Sequence, residues 1–142
     1  MMTEDQQKLL QKLYAQQKAT ESGIEIVQER MELVQASLNS HRRGLGVLQE
    51  FEGKKEGEKM LINVGGNLFI DVQLASPDRV TRDIGSGVRV IQKLEDAKKS
   101  VEETIASLEQ HYAQLAQQNE TISNQAADIG RRLNDLVKQM QG

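Results

Sequence analysis

The chain has 142 residues, of which 37% are hydrophobic, 27% are charged and only 3% are aromatic. This length fits one domain or two small ones. With two Phe, two Tyr and no Trp, the chain lacks the rings that usually fill a compact enzyme core, so its apolar side chains suit a helical seam or a subunit interface better. The formal net charge of −3 gives no reason to expect a nucleic-acid partner.

The absence of cysteine excludes a disulfide framework and thiolate metal ligands. It fits a reducing compartment, and we predict a cytoplasmic protein. No apolar stretch approaches the ~18 residues of a membrane span, and the sequence begins with polar and acidic residues rather than with a signal-like segment. No membrane partner is therefore expected.

Proline and glycine divide the chain into three segments. The single proline, Pro77, and six of the eleven glycines lie in the middle of the sequence. The predicted organisation is an N-terminal coiled-coil helix over residues 1–52, an assembly module of two β-hairpins over residues 53–89, and a C-terminal coiled-coil helix over residues 90–142.

Both outer segments carry apolar residues at alternating spacings of three and four, from residue 10 to 48 and from residue 94 to 140. This spacing is typical of a left-handed coiled coil. If the helices pair in antiparallel fashion, residues whose numbers sum to about 142 share a layer, as Leu13 and Ile129 do, and seam residues then meet seam residues throughout. The match favours an intramolecular helical hairpin, although pairing of each helix with another subunit stays open.

The middle segment alternates with period two, which indicates strands with one buried face. Gly65-Gly66-Asn67 and Gly85-Ser86-Gly87 predict two hairpin turns, because these residues tolerate positive φ. Four short strands leave free edges and an uncovered face, so we predict that the hairpins assemble with other subunits. The side chains assigned to assembly are Ile62, Val64, Leu68, Phe69, Ile70, Val72, Leu74, Val80, Ile84, Val88 and Val90.

Neither histidine marks a catalytic or metal site. In the helical hairpin, His41 and His111 lie in layers about 15 Å apart, too far to share a metal. The glycine turns lack both the third glycine of a dinucleotide fingerprint and the Gly-Lys-Ser/Thr of a phosphate loop. We therefore expect no enzyme activity, no metal and no cofactor.

The free end of the predicted coil, which we call the tip, is the candidate binding site. Gln17, Thr20, Asn119 and Ala126 place polar or small side chains in the seam and weaken it. Apolar residues return beyond this stretch, and an easily opened end can offer them to partners of many shapes. A plain coiled-coil terminus is the competing interpretation. The tip residues assigned to binding are Leu9, Leu10, Leu13, Tyr14, Leu133, Leu136, Val137 and Met140.

The order of helix, two hairpins and helix resembles the α-class subunit of prefoldin, a chaperone family, over nearly the whole chain. The resemblance is carried by Val64-Gly65-Gly66-Asn67-Leu68-Phe69-Ile70, by Ile84-Gly85-Ser86-Gly87-Val88-Arg89-Val90 and by Leu94-Glu95-Asp96-Ala97. A β-class subunit would have a single hairpin. The implied fold is α+β and mostly α: a long antiparallel helical-hairpin coiled coil with two β-hairpins inserted between the helices, whose strands join an intersubunit β-barrel.

The resemblance implies a nonenzymatic chaperone subunit. Two α-class and four β-class subunits would form a hexamer with six arms, hold unfolded client proteins at the arm tips without ATP, and pass them to a group II chaperonin. A structural tether or spacer without client binding stays an alternative. So does a helical hairpin that grips nucleic acid, although the acidic charge balance disfavours it.

Overall fold

The structure is a computed structural model that describes residues 2–141. Its elements are α1 (Glu4–Phe51), β1 (Lys59–Gly65), β2 (Leu68–Gln73), β3 (Arg79–Asp83), β4 (Arg89–Lys93) and α2 (Leu94–Gln141). Two long helices with two antiparallel hairpins between them confirm the predicted fold class. Residues 1 and 142, the outer limits of the predicted helical segments, lie outside the described residues.

The second helix begins later than the boundary at residue 90 that the sequence analysis placed. Residues 90–93 belong to β4, where Gln92 pairs with Val80 and Lys93 with Arg79. The backbone nitrogen of Leu94 then donates to the carbonyl oxygen of Asp78 at 2.8 Å. Residues 90–93 are therefore held in the strand by pairing with β3, and α2 starts at Leu94.

The described residues form two compact units, residues 2–36 with 110–141 and Ser37–Glu109. We call them the end unit and the hairpin unit. All seam positions predicted between residues 10 and 48 and between residues 94 and 140 are buried or half-buried. The three-four spacing therefore identified the buried stripe of both helices.

In the end unit, the first turns of α1 pack against the last turns of α2. Leu13 and Ile129, which the sequence placed in one layer, share a buried cluster with Leu133 and Leu136. The start of α1 is fixed by a capping box, in which the Thr3 hydroxyl accepts from the Gln6 backbone nitrogen and the Gln6 side chain accepts from that of Thr3. The described ends of the chain thus meet, as the helical hairpin requires.

In the hairpin unit, Leu48 of α1 packs with Leu94 and Ala97 of α2, and Val80 of β3 lies against this cluster. Two ion pairs link α2 to α1 or to the residue directly after it. Arg42 binds Glu109 at 3.1 Å, and Lys98 binds Glu52. The hydrogen bond to Glu52 raises the pKa of Lys98 above its ordinary value, although desolvation opposes it, so Lys98 stays charged to higher pH.

The two hairpins use the same turn chemistry. In the first, Gly66 and Asn67 have φ values of 59° and 61°, the conformation that a two-residue hairpin turn needs. Asn63 Oδ1 accepts from the Gly65 nitrogen at 2.9 Å, and Asp83 Oδ1 accepts from the Gly85 nitrogen at 2.8 Å. A short side chain two residues before the glycine therefore anchors each turn.

Candidate functional site

The tip residues are brought together, but they differ in accessibility. Leu13, Leu133 and Leu136 are buried in the cluster at the helix ends, with Leu10 and Met140 half-buried against it. Leu9 and Tyr14 flank the cluster and are 46% and 54% exposed. Val137 is half-buried. In this closed arrangement only Leu9 and Tyr14 are freely accessible, and the buried members become available only if the helices separate.

The core of the end unit is interrupted behind this cluster. No side chain is buried in residues 14–26 of α1 or in residues 116–128 of α2, a stretch of about 20 Å in each helix at 1.5 Å per residue. Buried residues resume at Val27 and Leu115. The four cluster residues therefore have only half-buried seam neighbours directly behind them, so local separation of the helix ends exposes little fully buried apolar surface beyond the cluster.

Polar groups in the interruption are poorly paired between the helices. The Oδ1 atom of Asn119 is buried without a hydrogen-bond partner. The Thr20 hydroxyl donates to the Gln17 carbonyl of its own helix at 2.8 Å. A buried polar atom without a partner costs roughly 1–3 kcal/mol. The predicted weak stretch of the seam therefore has a physical basis in the contacts of these side chains.

Ion pairs do not hold the helices together in the end unit. Among residues 2–36 and 110–141, Lys8 forms an ion pair with Glu4 inside α1. Arg131 and Arg132 each form an ion pair with Asp128 inside α2. The interhelical ion pairs lie in the hairpin unit. Closure of the tip thus depends on its apolar cluster.

The hairpins expose most of the apolar side chains that the sequence assigned to assembly. Among the residues assigned to assembly, only Leu74 is buried. Isolated surface aliphatics are ordinary, whereas exposed aliphatics grouped on paired strands are typical of an interaction site. Four of the assembly residues are half-buried, namely Ile62, Val72, Val80 and Val90. Six are exposed, namely Val64, Leu68, Phe69, Ile70, Ile84 and Val88.

The strand register divides the first hairpin into two faces. Ile62 pairs with Ile70 and Met60 with Val72, so these four aliphatic side chains share one face. Asp71 lies on the opposite face, between the apolar positions of β2. One face is therefore almost purely apolar, and it is the better candidate for an interface.

Sequence reasoning missed several exposed apolar residues. Leu61, on the same face of the first hairpin as Phe69, is 54% exposed, and Ile91, on the outer face of the second hairpin, is 68% exposed. Ile26 and Leu33 are exposed on α1, seven residues apart and outside the seam. The seven-residue spacing of Ile26 and Leu33 could have identified this second apolar stripe from the sequence. The neighbouring seam contains more apolar residues and hides it.

The described residues hold no group of three or more His, Asp or Glu side chains placed to bind a metal ion. His41 Nδ1 donates to the Ser37 carbonyl at 2.7 Å, which satisfies that nitrogen within its own helix. Within residues 2–141, neither helix is long and apolar enough to cross a membrane.

The described residues thus form two long helices with two hairpins between them, and the hairpins expose apolar side chains. The sequence profile of the prefoldin subunit family matches residues 20–139, and the chain belongs to the prefoldin family. It is thereby a prefoldin-type chaperone subunit, in a family of chaperones rather than of enzymes.

Curated relatives agree with the α class. The chain is 27% identical over 117 residues to the prefoldin subunit alpha of Archaeoglobus fulgidus, covering 78% of this chain and 85% of the relative. The chain is 24% identical over 132 residues to the prefoldin subunit alpha of Methanococcoides burtonii, and the match covers 93% of this chain and 91% of the relative. Together with the two hairpins, these relatives confirm the prediction of an α-class prefoldin subunit.

Two solved structures share the fold. One is a filamentous prefoldin from Methanocaldococcus jannaschii, with a TM-score of 0.59 and 21% identity over 87% of this chain and 97% of that one. The other is the prefoldin beta subunit of Thermococcus strain KS-1, with a TM-score of 0.59 and 15% identity over 89% and 90%. At these identities the likeness establishes the fold alone.

Proposed function

We propose that this chaperone subunit binds nonnative polypeptides at its tip without ATP and transfers them to a group II chaperonin. The observation that carries the proposal is the apolar cluster at the helix ends, isolated by an interrupted core. Leu9 and Tyr14, both exposed beside the cluster, make first contact with an apolar segment of the client. Separation of the helix ends then offers Leu13, Leu133 and Leu136.

This mechanism needs no nucleotide, because thermal opening of a marginal seam supplies the motion. Aliphatic and methionine side chains impose little shape on a partner, which suits clients of many sequences. Each tip binds weakly. Several arms that hold one client raise the overall affinity through effective concentration, by about 10²–10⁴-fold where the geometry allows simultaneous contact.

We further propose that the hairpins join a cytoplasmic hexamer of two α-class and four β-class subunits through shared β-barrels. The aliphatic face formed by Met60, Ile62, Ile70 and Val72 supports this proposal, as do the unpaired outer edges of both hairpins. Strands of neighbouring subunits would pair the edges, and closure into a barrel would turn the aliphatic face inward. In this proposal residues 1–52 and 94–142 supply the arm, and residues 53–93 supply the assembly module, with the boundary moved from residue 90 to the start of α2.

The test is suppression of client aggregation by the complex with β-class subunits. A chemically unfolded protein is diluted into buffer with increasing complex and no nucleotide, and light scattering is followed. We expect scattering to fall to background near stoichiometric complex. A structural spacer would leave scattering unchanged at every ratio, and that result would overturn the client-binding proposal.

Replacement of Asn119→Leu should stabilise the closed tip. The leucine removes a buried unpartnered oxygen and adds apolar contacts to the seam. We expect amide hydrogen exchange in residues 8–20 and 129–140 to slow by about tenfold, and client retention to weaken in parallel. Asn124→Leu, the same exchange at an exposed position of α2, is the matched control and should change neither. Unchanged exchange in N119L would show that this layer does not limit opening.

A further inference from the structure

A groove of about 440 Å³ opens within the hairpin unit, between α1, α2 and β3. Leu48, Val80 and Ala97 contribute apolar walls, and Gly44 exposes helix backbone where another residue would place a side chain. A Cβ atom built at Gly44 meets no atom within 4 Å. The space above Gly44 is therefore open at this wall of the groove.

A single cation stands at this groove without a counterion. Arg82 of β3 lines the groove and is half-buried. Among residues 2–141 its guanidinium forms no ion pair or hydrogen bond, whereas Arg42, Arg131 and Arg132 each contact a carboxylate. A partly desolvated guanidinium gains most from a carboxylate that pairs with it in a fixed geometry.

The groove is also continuous with the surface that we assign to assembly. Its β3 wall, formed by Val80 and Arg82, leads directly to Ile84, which is exposed and belongs to the assembly residues. Chain that pairs with the second hairpin would pass the mouth of the groove. The apolar walls and the unpaired cation thus lie where a neighbouring subunit is expected.

We propose that this groove receives an aliphatic side chain and an adjacent carboxylate from a β-class subunit, with the carboxylate bound to Arg82. The inference rests on the proposed hairpin-mediated assembly and adds to it a specific acidic contact outside the strand edges. The aliphatic group fills the space above Gly44, and the ion pair fixes which residue of the partner enters. A desolvated pair of this kind contributes to partner choice as well as to affinity.

Gly44→Leu fills the groove, and Gly46→Leu is its matched control. Both glycines lie in α1 with open space at the Cβ position, but only Gly44 lines the groove. Each substitution favours the helix by up to about 1 kcal/mol, so a difference between them reports the groove. We expect G44L to weaken binding of the β-class subunit by at least about tenfold in a titration followed by native mass spectrometry, and G46L to bind as the unaltered chain does.

Arg82→Glu tests the ion pair, with Arg89→Glu as its control. Arg89 lies directly across from Asp83 in the strand register, on the opposite, exposed face of the second hairpin. We expect R82E to weaken β-class binding by about tenfold or more through charge repulsion, with R82K retaining most of the affinity and R89E unaffected. The R82E defect should shrink as salt is raised.

Normal β-class binding by both G44L and R82E would overturn the inference. If the chain instead associates with a second copy of itself and G44L abolishes only that association, the occupant is a second copy and the β-class assignment is wrong. Failure of the proposed assembly is distinguishable, because either the unaltered chain would not bind the β-class subunit or the Ile70→Asp, Val72→Asp double variant would stay bound to it.

Discussion

Removal of residues 1–14 and 133–142 is expected to abolish suppression of client aggregation while the assembled complex survives. The deletion takes away all eight tip residues assigned to binding and leaves Ile129 without its cluster. It leaves the hairpin unit untouched, with its own cluster around Leu48 and its own interhelical ion pairs. Light scattering measures client aggregation, and native mass spectrometry measures assembly.

A finer pair of variants separates client binding from stability. Leu9→Ser with Tyr14→Ser removes two side chains that are already exposed, so the cost to the free energy of unfolding should stay within about 1 kcal/mol. The matched control is Gln11→Ser with Lys12→Ser, two polar residues exposed on the same turns of α1. We expect the first pair to require about tenfold more complex for equal suppression, because loss in each arm multiplies across arms, and the control pair to require no more.

Unimpaired suppression by the truncated complex would move the client site away from the tip. Loss of the complex itself would instead show that residues beyond the hairpin unit are needed for assembly. The serine pair then decides, because it keeps both helices at full length. If it suppresses aggregation as well as its control, Leu9 and Tyr14 do not contact clients.

The helical pairing was readable from sequence because one physical rule determines it. A seam that must stay against a partner needs apolar residues every 3.5 positions, and an antiparallel pair needs the two seams in register. Leu13 with Ile129 and Leu48 with Leu94 therefore followed from their spacing, and both pairs share a cluster in the structure. Even Ala97, small for a seam residue, is buried.

The accessibility of the tip residues was harder to predict, because it depends on a single step along the helix. Leu13 occupies a seam position and is 4% exposed, whereas Tyr14, the next residue, points away and is 54% exposed. The sequence pattern placed both of them among the apolar residues of the tip. The heptad position separates them, and it distinguishes residues that meet a client directly from residues that require opening.

The strands illustrate a second limit. The alternation located both hairpins, but the β-bulge between Asn63 and Gly65 depends on how β1 fits against β2. Similarly, the sequence pattern predicts the last strand as far as Ile91, and only cross-strand pairing with β3 adds Gln92 and Lys93 to β4. Such non-local contacts override local preference. The groove beside Arg82 likewise forms where α1, α2 and β3 pack together, and no sequence motif predicts it.

Replacement of Ile70→Asp together with Val72→Asp is expected to give folded subunits that no longer co-purify with a β-class partner. Ile70 is 49% exposed and Val72 half-buried in the isolated chain, so the carboxylates remain hydrated there. In an assembly that covers this face they would be buried opposite Ile62 and Met60. Burial of an unpaired carboxylate costs several kcal/mol, and two of them exceed what an interface of ordinary affinity supplies.

Gln73→Asp provides the matched control for this double variant. Gln73 is exposed on the opposite face of β2, two residues from the native Asp71, so Q73D creates a pair of carboxylates at the same spacing but away from the aliphatic face. Co-purification with a tagged β-class subunit should survive in Q73D and disappear in the double variant, while both keep the helical circular dichroism of the unaltered chain. Retained co-purification by the double variant would mean that the face of Ile70 and Val72 is not the assembly surface, since no interface that excludes water from this face can accommodate both charges.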